Sequence, residues 1–180
     1  GKGGKYLLLP AIPQFTQRYP EISLEVRFND RYVDMQAEGV DVAVRVGNLR
    51  SSELIAKRVS SSRLVTCASP RYLASAGVPR TPEELREHRL IGHLRGEATR
   101  PAEWQFSQGN GIRSMRLPMA LSFNTVEALS ISALEGQGIV QQLDLLVGGY
   151  VAEGRLVELL REHSCEGPPL SVVYPRATQH

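Results

Sequence analysis

The stretch EGVDVAVRVGNLRSSELIAKRVSSSRLVTCASPRYLASAGVPRTPEELREHRLI, residues 38–91, decides the fold. Apolar, strand-like runs lead into two helix starts in close succession. Residues 40–46 form an apolar run broken by Asp41 and Arg45, the pattern of a strand buried in a parallel sheet. Residues 54–59 and 63–67 add two more strands. At Ala68-Ser69-Pro70 the chain turns from strand to helix, with Ser69 as cap and Pro70 at the first helical position. That helix runs through Leu73 and ends at Gly77. Thr81-Pro82-Glu83-Glu84 is a second start, with a capping Thr, an early Pro and acid in the first turn.

Outward from this stretch the same alternation continues. In residues 6–19, Leu8, Leu9, Ile12, Phe15 and Tyr19 recur at helical steps. Pro10 and Pro13 place the regular part of that helix near Pro13, and Pro20 stops it. Residues 22–28 alternate as a strand, with Ile22, Leu24, Val26 and Phe28 on one face. Asn29-Asp30 offers a turn and a cap for a short helix over 31–38, ended by Gly39. Helix, strand, helix, strand is the grammar of an α/β lobe with a parallel sheet. Further on, residues 95–110 read as a polar loop around the apolar insert Trp104-Gln105-Phe106. Residues 113–123 read as one or two strands separated near Pro118. Asn124-Thr125 caps a helix over 126–135, which Gly136 and Gly138 end. Ile139-Val140 begins a short strand, 143–153 is a helix weakened at Gly148-Gly149, and a brief strand follows 154–156. Residues 164–169 form a loop and 170–174 a final strand.

Composition narrows the function classes. A chain of 180 residues makes one compact unit or two small lobes, and 42% hydrophobic content supports a real core. With 21 basic and 19 acidic residues the net charge is only +2, which argues against a basic nucleic-acid-binding face. No apolar run reaches the length of a membrane span. Residues 1–5 lack the apolar core of a secretory signal. Cys67 sits in an apolar strand and reads as a small buried hydrophobe; nothing about it and Cys165 indicates a disulfide scaffold. His88, His93, His163 and His180 lack metal-ligand spacing. Ser60-Ser61-Ser62 has no elbow glycines. The glycines at 109, 111, 136 and 138 do not build a phosphate loop. The expectation is a non-enzyme with no cofactor and no metal.

Six elements together resemble the effector-binding domain of LysR-type transcriptional regulators. Residues 8–22 are similar to that family's LLPxLPxFxxRYPxI helix, and Asp41-Val42-Ala43-Val44-Arg45-Val46-Gly47 to its DVAIRxG strand. Ala68-Ser69-Pro70-Arg71-Tyr72-Leu73 resembles its AxPxYL, followed by GVPRTPEEL. Trp104 and Phe106 match its WxF, Asn124 to Ala128 its NxxxA, and Gly136-Gln137-Gly138-Ile139 its GxGIA, with Val140 in place of the last alanine. There are departures. Only residues 1–5 precede the first helix, where the family has a strand and a Ser/Thr turn. The chain stops at His180, where the family has a further helix, and Leu143 stands where proline is common. The expectation is a domain truncated at both ends, lacking the winged helix-turn-helix, so that DNA is contacted only through that missing N-terminal part.

The resemblance implies an α/β fold of two Rossmann-like lobes joined by two crossover strands, the periplasmic-binding-protein type 2 architecture. Residues 1–67 with 171–180 would form lobe I and 68–170 lobe II, with crossings near 66–69 and 170–174. It implies a cytoplasmic homodimer or tetramer, with helix 14–19 of one chain facing helix 126–135 of another. A small-molecule effector, an organic acid or aromatic compound, would lie between the lobes. Strand carboxyl ends and helix N-termini gather ligands in such sheets. The expected effector-binding residues are therefore Asn29, Arg45, Gly47, Ser69, His93, Arg95, Asn124, Thr125 and Gln141. Blander roles stand beside these: Arg45 pairing with Asp41, Asn124 and Thr125 only capping, His93 and Arg95 only solvated. Two rivals share the architecture, a solute-binding protein of an uptake system and a small enzyme.

Overall fold

The computed structural model describes residues 8–28, 35, 37–46 and 54–175. Asn29, Gly47 and most of the helix expected over 31–38 lie outside these residues. The chain divides into two compact units, Gly1–Ser62 with Pro168–His180, and Arg63–Gly167. These limits lie a few residues from the lobe limits expected at 67/68 and 170/171.

In the first unit, a 3-10 turn at Leu9–Ala11 leads into α1 (Ile12–Arg18), with prolines in the first turn of each. Pro10 and Pro13 are tolerated there because the first helical N–H groups have no intrahelical acceptor. The helix ends at Tyr19, whose N–H donates to the Phe15 carbonyl at 2.9 Å. Residues 22–28 depart from expectation. They form no ladder with any described residue, and Ile22, Leu24, Val26 and Phe28 are 38–45% exposed. Alternation makes a segment fit for a sheet, but a strand exists only where an edge receives it. Three strands do pair: β1 (Ala43–Val46), β2 (Leu54–Ser60) and β10 (Leu170–Pro175), in the order β1-β10-β2. Both ladders are antiparallel, with Arg45 opposite Ser171. Where a parallel strand was expected at 40–46, the pairing of β1 among the described residues is antiparallel. A four-residue apolar run does not encode its partner's direction; the returning C-terminal segment sets it.

The second unit holds most of the described core. Its strands are β3 (Leu64–Ala68), β4 (Ile91–His93), β5 (Trp104–Gln108), β6 (Gly111–Met115), β7 (Leu121–Phe123), β8 (Val140–Leu143) and β9 (Val157–Leu159). β3 pairs antiparallel with β8 and with β9, and β4 pairs parallel with β7. A parallel bridge between Leu90 and Ile139 joins the two groups. Its bonds run from Ile139 N–H to the Arg89 carbonyl and from Ile91 N–H to the Ile139 carbonyl, both at 2.9 Å. The resulting order is β9-β3-β8-β4-β7. Gly138 is required at this junction. A Cβ there would stand 2.5 Å from the Arg89 carbonyl oxygen, closer than atoms approach.

Each face of this sheet carries its own core. On one face α3 (Val126–Leu134) and α4 (Asp144–Ala152) pack over Val65, Cys67, Ile91 and Val140. On the other, Ala68, Leu90 and Ile139 meet Tyr72 of α2 (Pro70–Ala76), Leu85, Trp104, Phe106 and Leu117. The loop expected over 95–110 is corrected here. Its second half is β5, in an antiparallel hairpin with β6, and Gly109 (φ +56°) takes the first position of the two-residue turn. Trp104 and Phe106 are the inward residues of that strand, while Gln105 and Ser107 are only half-buried. The remaining helix starts follow expectation. Ser69 Oγ accepts from Tyr72 N–H at 3.1 Å, and Thr125 Oγ1 from Ala128 N–H at 3.2 Å. Thr81 Oγ1 accepts from Glu84 N–H at 3.3 Å, although the element it opens, Pro82–Glu87, is a 3-10 helix.

Candidate functional site at the carboxyl edge of the parallel strands

Strand direction in the second unit gathers several expected site residues at one edge. β4 and β7 run parallel and end together at His93 and Phe123. The chain leaves β7 directly into Asn124-Thr125 and the N-terminus of α3. Leu94 N–H donates to the Phe123 carbonyl at 2.8 Å, which prolongs the pairing and holds Arg95 just beyond the same edge. His93 is half-buried, Asn124 and Arg95 are exposed, and Thr125 is half-buried beneath its cap. His93, Arg95 and the start of α3 thus lie along one end of the sheet; helix N-termini and guanidinium groups are the kinds of group that receive anionic ligands.

Gln141 lies on β8, which runs in the same direction, but its amide is already engaged. Oε1 accepts from Gln105 N–H at 2.9 Å. Nε2 donates to the Gln105 carbonyl at 3.0 Å and to Thr66 Oγ1 at 3.2 Å. The side chain thus stands in for a neighbouring strand and sews the β5–β6 hairpin to the sheet. Gln142 does the matching task on the other face, where Nε2 donates to the Val126 carbonyl and Oε1 accepts from Ser130 Oγ, both at 3.2 Å. Sequence reasoning missed Gln142 and Thr66; the available signal was a polar residue inside an otherwise apolar strand.

Ser69 stands apart from this group. It follows the end of β3 at which Ala68 pairs with Val157, the opposite end of the sheet from His93 and Asn124. Its hydroxyl is buried and spent on capping α2. Arg45, in β1, belongs to the first unit. At the entry to β3, Arg63 is anchored on three sides. Its guanidinium pairs with Glu158 and donates to Ser164 Oγ at 3.0 Å, and its N–H donates to Asp144 Oδ1 at 3.2 Å. The Glu158 hydrogen bond raises the Arg63 pKa, with burial opposing.

The thiols are free and buried. Burial pushes Cys67 up to about 12, with the Glu158 charge adding to it, and raises Cys165 as well. Neither is a nucleophile in this state. Among the described residues no group of His, Cys, Asp and Glu is arranged to hold a metal, and no helix is long and apolar enough to cross a membrane.

The family model described as "LysR substrate binding domain" matches residues 3–180. The chain belongs to the LysR substrate-binding domain family. This LysR domain is 33% identical to the HTH-type transcriptional regulator YhjC of Escherichia coli K12, over 96% of the chain and 58% of that relative. It is 34% identical to the HTH-type transcriptional regulator CrgA of Neisseria meningitidis serogroup B, over 94% of the chain and 56% of that relative. The LysR domain therefore spans a little over half the length of these curated relatives, both HTH-type transcriptional regulators. Among solved structures, the CrgA regulatory domain superposes with a TM-score of 0.85 at 32% identity, covering 97% of this chain and 84% of that one. The AphB regulatory domain of Vibrio vulnificus gives 0.82 at 25% identity, covering 98% and 87%. The fold is accordingly α/β of the periplasmic-binding-protein type 2 kind.

Proposed function

We propose that this LysR domain is the effector-binding and dimerisation part of a bacterial, cytoplasmic LysR-type transcriptional regulator. DNA would be contacted by a separate winged helix-turn-helix of the whole protein. The observation that carries the reading is the family match across residues 3–180, joined to a sheet edge that brings His93, Arg95, Asn124 and Thr125 together. That the relatives reported above are regulators favours this reading over a solute-binding protein and over an enzyme.

The proposed effector is an organic acid or aromatic compound. Within the second unit its partners are Asn124, Thr125, His93 and Arg95, the group at the carboxyl edge. Arg45, Asn29 and Gly47 stay in the proposal on the resemblance alone. Ser69 and Gln141 contribute as framework, because their polar atoms already hold α2 and the β5–β6 hairpin. An effector switches a regulator only by binding one conformation better than another, and a swing from 1:99 to 99:1 takes about 5.5 kcal/mol of preference.

Thermal melts against a panel of small carboxylates and aromatics test this. A true effector at about a hundred times its dissociation constant stabilises the fold by about 2.7 kcal/mol. Asn124→Ala and Arg45→Ala should each abolish the shift for the selected compound. A shift that survives both substitutions, or no shift from any compound, would count against the proposed site.

A further inference from the structure

The second unit carries a pocket of about 670 Å³ that the proposed effector site does not use. Its lining includes Arg86, Arg100 and Arg116 together with the apolar Pro101, Leu117 and Met119. None of its lining residues is acidic. All three arginines are exposed and therefore hydrated, and an anion arriving here meets three permanent cations with no acid in the lining. The chain as a whole has a net charge of only +2, so this concentration is local and not a general basic surface.

Arg86 is held in place by donating from Nη2 to the Arg116 carbonyl at 3.3 Å. Leu117 belongs to the buried core and Met119 packs against it. Pro101 and Met119 press directly on β4. A Cβ at Gly92 would stand 2.7 Å from Met119 Cγ, 2.9 Å from Pro101 Cβ and 3.0 Å from Ser122 Oγ. Glycine at 92 is what lets these side chains lie this close to the sheet. Ile91, one residue earlier, points into the core beneath α3. Alternation along β4 therefore puts the pocket on the sheet face opposite α3.

We infer that this pocket is a second binding site, for a small organic anion with two or more negative charges on an apolar body, such as an aromatic dicarboxylate. The volume falls in the range of small-molecule sites. A purely apolar ligand would displace water from the three arginines without offering them a hydrogen-bond partner. A purely inorganic anion would leave Pro101, Leu117 and Met119 uncovered. A ligand with both features satisfies both surfaces, and arginine pairs planar carboxylates through two parallel hydrogen bonds.

Amide NMR titration of the chain with phthalate tests the inference. Inorganic phosphate serves as the charge-only comparison and dimethyl phthalate as the apolar-only one. Phthalate should shift the amides of Ala102, Leu117, Met119 and Ser122 saturably, and bind at least about fivefold more tightly than either comparison. Arg100→Gln and Arg116→Gln should each weaken it about fivefold, and the double variant by about the product. Phosphate binding as well as phthalate would overturn the amphiphilic ligand class. Shifts confined to His93, Asn124 and Thr125, or variants that bind phthalate like the parent, would overturn the site itself.

Discussion

Gln141 and Gln142 are neighbours on β8 that tie down opposite faces of one sheet, and only their contacts reveal this. Replacing Gln141 with Ala strands the Gln105 N–H and carbonyl and the Thr66 hydroxyl, which is buried. Such losses cost about 1–3 kcal/mol. Urea denaturation of Gln141→Ala should show a drop of about 2 kcal/mol with no effector present. A residue serving only as an effector ligand would leave the free domain's stability unchanged. Cys67 offers a pH test. Burial raises its pKa from an ordinary 9.0 to about 12. Once pH passes about 9 the unfolded thiol ionises while the folded one keeps its proton, so the unfolded state binds fewer protons. Stability therefore falls between pH 9 and about 12, with a loss on the order of 1 kcal/mol by pH 10. Lysines and tyrosines titrate nearby, so the quantity to compare is the pH 8-to-10 change in the parent against that in Cys67→Ala. The variant's change should be smaller by about that amount, and equal changes would contradict the assignment.

Elements differ in how far their residues announce them. Helix starts were legible because a cap is local: Ser69-Pro70, Thr81-Pro82 and Asn124-Thr125 sit within three residues of the N–H groups they serve. Their chemistry gives a direct prediction. Thr125→Ala should cost about 1 kcal/mol in denaturant melts, and Thr125→Ser should restore most of it, because the hydroxyl alone makes the bond to Ala128. Strand partners were not legible. The apolar run at β1 read as parallel and pairs antiparallel, and the alternation of 22–28 meets no described edge. The β5–β6 hairpin hid behind its polar outer face, and only Trp104 and Phe106 betrayed its buried side. The candidate site shows the same division. The helix start at Asn124-Thr125 was legible because it follows a strand whose end at Phe123 could be read, whereas His93 closes β4, a three-residue strand that the sequence did not announce. The arginine-lined pocket was not legible either, because Arg86, Arg100 and Arg116 come from three separated segments that only the folded chain assembles.

For the whole molecule, the consequential question is assembly. LysR-type resemblance sets helix 14–19 of one chain against helix 126–135 of another, and the exposed apolar groups on those elements suit such a role. Phe15 and Tyr19 pack with ring centroids 5.1 Å apart on a surface where both remain partly exposed. On α3 the core-facing residues are Val126, Leu129, Ser130 and Ala133, which leaves Ile131 directed outward and 58% exposed. Scattered apolar residues are ordinary on a monomer, so exposure by itself decides nothing. The decisive test is whether two distant substitutions disturb one equilibrium. Phe15→Asp and Ile131→Lys lie on different elements in different units. At concentrations low enough that the parent is monomeric, each should leave the thermal midpoint nearly unchanged, because neither side chain belongs to a core cluster. In sedimentation velocity each should raise the dimer dissociation constant at least tenfold, since burying an unpaired charge in an apolar contact costs more than about 1.4 kcal/mol. Mixing the two variants adds a further arm. If α1 meets α3 across the dimer, the carboxylate introduced on one chain and the ammonium introduced on the other become opposed at one of the two symmetry-related contacts. The mixture should then dimerise more readily than either variant alone. Equal dissociation constants in the mixture and in the separate variants would mean that the two helices do not face each other.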